Sequence, residues 1–94
     1  MTQKKEQYLE EMRTKMAVLK DKIDRFQQKA DQAAGEMKIQ YQKHIKELRS
    51  KYALVEEKIA DLDKTSEESW EHLGATVEGP YEALTEAVQR LLPD

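Results

Sequence analysis

Apolar residues recur along the first two thirds of the chain at steps of three and four. From Leu9 the series runs Met12, Met16, Leu19, Ile23, Phe26, Ala30, Ala33, Met37, Tyr41, Ile45, Leu48, Tyr52, Val55, Ile59 and Leu62, and the positions between are mostly Lys, Glu, Gln, Asp and Arg. A helix turns once in about 3.6 residues, so this spacing draws a narrow stripe down one side, the seam of a coiled coil. Acids stand four residues before bases at Glu11–Lys15, Asp21–Arg25, Glu47–Lys51 and Glu86–Arg90. That spacing brings two side chains together only in a helix. The pattern predicts one long amphipathic helix over 1–64.

One stretch departs from the rhythm. Ala33, Met37, Tyr41 and Ile45 follow one another by three steps of four, beside the small residues Ala30, Ala33, Ala34 and Gly35. Such a phase shift locally unwinds a left-handed supercoil. A turn at Gly35, giving a helical hairpin, is the alternative. Continuity is favoured, because the stripe passes Gly35 without losing phase, and neither Pro nor a new N-cap follows. Gly in a helix interior costs about 1 kcal/mol, which a long packed helix absorbs.

The second segment, 65–94, begins after the first credible break at Asp63-Lys64-Thr65-Ser66, where Thr65 and Glu68 fit a capping box that either starts a second helix or lies within a continuing one. A shorter stripe follows: Trp70, Leu73, Val77, Tyr81, Leu84, Val88 and Leu91. Gly79-Pro80 interrupts it, and Pro is tolerated at a helix start but not inside one. A break is therefore expected near 79–80, then a short helix over about 81–92 that Pro93 ends.

These lengths have a consequence. A helix over 1–64 would extend about 90 Å at 1.5 Å per residue, and each large apolar side chain it buries contributes about 1.5–3 kcal/mol. The segment after Leu62 is too short to cover the whole stripe. Self-association into a homo-oligomer is the expectation, with the stripe from Leu9 to Leu62 as its seam and the residues from Trp70 to Leu91 packing the tail. Ile23, Leu48 and their neighbours would then hold the assembly together.

Composition supports the helical reading. In 94 residues there are 3 Gly, 2 Pro, 1 Phe and 1 Trp, with 37% charged and 38% hydrophobic residues, too few turn formers for a sheet protein and a thin set for a globular core. Charge is unevenly spread. Residues 1–62 hold 14 Lys and Arg against 11 Asp and Glu, whereas 63–94 hold 2 against 8. That asymmetry favours an acidic tail packing back on a basic segment, its own or a neighbour's; a tail that is merely acidic and solvated is the equal alternative. The lack of Cys excludes disulfide and thiolate chemistry but indicates no redox compartment; with no signal-peptide pattern and no apolar run of spanning length, a soluble cytoplasmic protein is expected.

Chemistry has little to stand on. His44 and His72 are the only histidines; Glu68–His72 and Gln40–His44 share helix faces, but no Glu-x-x-His pair of the di-iron kind occurs. Ser50, Ser66 and Ser69 have no nucleophile motif around them, and carboxylates scattered on solvated faces lack the dry pocket that tunes an acid. Basic residues alternate with acids, unlike a nucleic-acid surface. Met12, Met16 and Met37 fall on the stripe and so read as core filling. No enzyme, metal or cofactor is expected, and no nucleic-acid partner. A rival reading remains: reversible binding of a membrane surface by amphipathic helices, with Trp70, Leu73, Val77 and Tyr81 as an interfacial patch.

Lys5-Glu6-Gln7-Tyr8, Lys29-Ala30-Asp31, Lys38-Ile39-Gln40-Tyr41, Ile45-Lys46-Glu47-Leu48-Arg49 and Ser66-Glu67-Glu68-Ser69-Trp70-Glu71-His72-Leu73 together resemble the small bacterial coiled-coil proteins, typified in cyanobacteria, known as stress-response proteins. The resemblance covers most of the chain. It implies a small helical cytoplasmic protein of poorly defined biochemical role, for which a scaffolding or protective part in bacterial stress is the expectation, with an uninterrupted helical tail (from which Gly79-Pro80 departs) and no catalytic residues. The sequence thus predicts an all-α, non-enzymatic protein that associates with itself.

Overall fold

The computed structural model describes residues 3–66 and 68–92; Met1, Thr2, Glu67, Pro93 and Asp94 lie outside them. Three helices follow one another: α1 (Gln3–Gln32), α2 (Gly35–Asp63) and α3 (Trp70–Leu91). The fold is all-α, an up-down-up bundle measuring 54 × 18 × 17 Å.

The expected helix over 1–64 is divided. α1 ends at Gln32, Ala34 is extended at φ −131° and ψ 159°, and Gly35 takes φ +63°, the one positive φ among the described residues. A residue with a Cβ pays about 1–2 kcal/mol in that region, so Gly35 is where the chain reverses at least cost. The three steps of four mark this hairpin and not a stretched supercoil. Energetics favour the turn. A break forfeits a few helical hydrogen bonds of about 1 kcal/mol each. Closing the hairpin buries Leu9, Met12, Met16, Leu19, Ile23, Phe26 and Ala30 of α1 against Ile45, Leu48, Val55, Ile59 and Leu62 of α2, at about 1.5–3 kcal/mol for each large side chain. The stripe is covered within one chain, so a 90 Å seam no longer compels association.

The second correction runs the other way. α3 continues through Gly79-Pro80 without a break. Pro normally excludes the preceding residue from the helical region, because its Cδ meets that residue's Cβ; Gly79 has none. The remaining deficit, a missing backbone donor, is outweighed by burial of Val77, Leu84, Ala87 and Val88. Leu92 is extended at φ −86° and ψ 137°, the conformation favoured before a proline.

Thr65 does not cap α3. Its hydroxyl donates to the Asp61 carbonyl at 2.9 Å, and Lys5 reaches from α1 to donate to the carbonyls of Asp63, at 2.9 Å, and Thr65. A cation there meets the negative end of the α2 dipole. Of the expected helical pairs, Asp21–Arg25 forms at 3.1 Å. Glu47 and Arg90 instead bridge α2 and α3 at 3.0 Å, and Arg13–Asp63 and Arg49–Asp24, each 3.2 Å, bridge α1 and α2. All are exposed, and such pairs contribute about 0–1 kcal/mol.

Candidate functional site: the face between α1 and α3

α2 packs closely against both other helices, while α1 and α3, which run parallel, touch much less. Their contacts keep a constant register. The Tyr8 hydroxyl donates to the Gly74 carbonyl at 3.4 Å, and the Lys15 ammonium lies 5.9 Å from the centre of the Tyr81 ring. In both cases residue n of α1 sits beside residue n+66 of α3. Tyr8 also meets Trp70, ring centres 6.0 Å apart and tilted by 41°. These aromatics are half-buried. Burial raises the Tyr8 pKa, and the nearby Glu78 carboxylate raises it further.

Toward the Gly35 end the face opens into a groove of about 210 Å³. Phe26, Val88 and Leu92 form its apolar side; Lys22, Arg25, Lys29 and Gln89 complete it, and no acid lines it. The volume is below the ~300–1,000 Å³ typical of small-molecule pockets, and suits one apolar side chain better than a cofactor. Below the groove the charge changes sign: Glu71, Glu78 and Glu82 follow at helical spacing on α3. The face is thus basic at the groove end, mixed at the other, where Lys15 of α1 stands beside Tyr81 between Glu78 and Glu82, and aromatic along its floor.

The seam residues Leu9 to Leu62 are brought together as a core, with three exceptions. Tyr41 and Tyr52 are only half-buried, and burial of Tyr52, then Glu56 and Asp24, raises its pKa. Met37, expected on the seam, is 53% exposed, because it lies in the first turn of α2, beyond the end of α1. Among the tail residues Val77, Leu84 and Val88 are buried, and Trp70, Tyr81 and Leu91 are half-buried. Leu73 is 38% exposed; the inward position of that turn belongs to Gly74, which lies under the Trp70 ring.

Sequence reasoning missed the flank of α1 that faces α3. Its signal was present: Tyr8, Lys15, Lys22 and Lys29 recur every seven residues, as do residues flanking a coiled-coil seam, where charge sets partner and orientation. His44 stacks on Phe26, ring centres 6.4 Å apart, from the α2 side. His72 is exposed. Among the described residues, no three His, Asp or Glu side chains converge as metal ligands do, and no helix is long and apolar enough to cross a membrane. Comparison with protein-family models, curated proteins and solved structures finds no match.

Proposed function

We propose that this protein is a non-enzymatic, self-associating helical bundle that works through docking, with the cytoplasmic scaffolding or protective role implied by its resemblance to the stress-response coiled-coil proteins. One observation carries the reading. The α1–α3 face combines half-buried aromatics, an apolar groove and separated charge, the make-up of a contact surface, while the seams that α2 makes are closed. Light-scattering mass over a concentration series tests it. The mass rises from the 11.0 kDa of one chain toward a multiple of that value if the reading holds. A constant 11 kDa across the series overturns it.

A second reading, reversible attachment to a lipid surface, is favoured by the Gly35 corner, where Met37 and Ile39 are 53% and 56% exposed beside Lys38. Apolar side chains among lysines suit an anionic interface. Co-sedimentation with anionic vesicles separates the two, since an assembly held by protein contacts stays in the supernatant.

A further inference from the structure

Resting on the self-association reading, we propose that two copies pair through the α1–α3 face, antiparallel, about a two-fold axis near the middle of the bundle. The constant offset of 66 between α1 and α3 fixes the levels. Glu78 lies beside position 12 of α1, and Glu82 beside position 16. If Lys29 meets Glu78 of the second copy, the midpoint along α1 is 20.5. If Arg25 meets Glu82 of the second copy, the midpoint is again 20.5. One axis therefore satisfies both contacts, and by symmetry each forms twice.

The groove end of one copy then covers the end of the other that carries Glu78 and Glu82, with Lys15 between them. Such a contact is isologous: the same patch serves both chains and closes the assembly at two. Val18 lies close to the axis, and it is 53% exposed in the single chain. The two valines stand about 7.5 Å apart along the helices, near enough to be covered together. About that axis the two faces overlap over about 36 Å of helix, and with a width of 18 Å each partner covers about 650 Å², or about 1,300 Å² in all, at the lower end of what specific pairs bury. A parallel pairing would set the basic groove of one copy on that of the other and is disfavoured by like-charge repulsion.

The test uses the full chain and two charge reversals, K29E and E78K. Both sites are exposed, and circular dichroism should show each variant as helical as the wild type. Each reversal alone places like charges together twice and raises the dimer dissociation constant by at least about tenfold. Mixing the K29E chain with the E78K chain makes both contacts complementary again and restores the 22 kDa species, twice 11.0 kDa. Lys29 and Glu78 lie about 25 Å apart within one chain, 17 positions of rise, so restoration cannot be internal. If wild-type pairs are insensitive to either reversal, or the mixture pairs no better than the single variants, this face is not the interface although self-association stands. A wild-type chain that stays at 11 kDa removes self-association itself. Staying at 11 kDa while pelleting with phosphatidylglycerol vesicles assigns the basic groove to lipid and likewise overturns the pairing.

Discussion

Two kinds of helix contact share this small bundle. Where α2 meets its neighbours, Leu48, Val55 and Leu62 are at most 1% exposed, and ion pairs at the edges only trim the seam. Where α1 meets α3, Tyr8, Trp70 and Tyr81 are half-buried, and a basic groove stands open. One contact is saturated and holds the chain together. The other leaves aromatic and apolar surface partly uncovered. α2 serves as the spine of the fold, and α1 and α3 present a surface. The closed seams and the open face thus lie on opposite sides of the same two helices, so each can be altered with limited effect on the other.

The strongest attempt to break that division is truncation on each side of it. Leu48→Ala empties a fully buried site and lowers unfolding free energy by about 2–5 kcal/mol, a large share of what a chain this short possesses. Val18→Ala, on the open side, changes it by less than about 0.5 kcal/mol in the single chain. Urea titration followed by circular dichroism measures both. Equal losses would mean that the α1–α3 side is as closed as the α2 seams. Ile23→Asp or Leu48→Asp abolishes helicity in the single chain, because the charge is placed in the chain's own core.

A gain of stability is expected next. Pro80 sits inside α3 without a backbone donor, and an interior proline costs about 3 kcal/mol against alanine. Pro80→Ala raises unfolding free energy by about 1–3 kcal/mol, seen as a higher thermal midpoint. An unchanged or lower midpoint would show that Pro80 contributes packing that offsets its missing hydrogen bond, and that α3 is held by more than the seam with α2.

Most of the core was readable from apolar spacing, because a step of three or four survives any arrangement of helices. Ile23, Leu48 and Leu84 are buried for the reason the spacing gives. What spacing cannot encode is where a helix folds back. Gly35 and Gly79 look alike in the sequence, and Gly79 beside Pro80 looks the stronger break. Yet the chain reverses at Gly35, which takes a left-handed φ, and passes straight through Gly79, whose missing Cβ makes room for the proline ring. That choice depends on which halves of the stripe find each other, a long-range matter. The α1–α3 face was missed for a related reason: Lys15, Lys22 and Lys29 read as solvated charges until the position of α3 is known.

The smallest expected effect sharpens the comparison on its open side. Burial, then Glu78, raises the Tyr8 pKa above its ordinary value near 10. Below that value the phenol is neutral in both folded and unfolded chains, and stability does not depend on it. As pH rises past 10 the unfolded chain gives up the proton first, so it binds fewer protons than the folded chain and stability falls with pH until the folded phenol also ionises. Tyr52 is shifted in the same direction, so the slope belongs to both. Tyr8→Phe removes the Tyr8 share alone: the thermal midpoint of the variant declines less steeply above pH 10 than that of the wild type. Parallel declines would mean that Tyr8 is as wet as a free phenol, and that the α1–α3 face is more open than its aromatic contacts indicate.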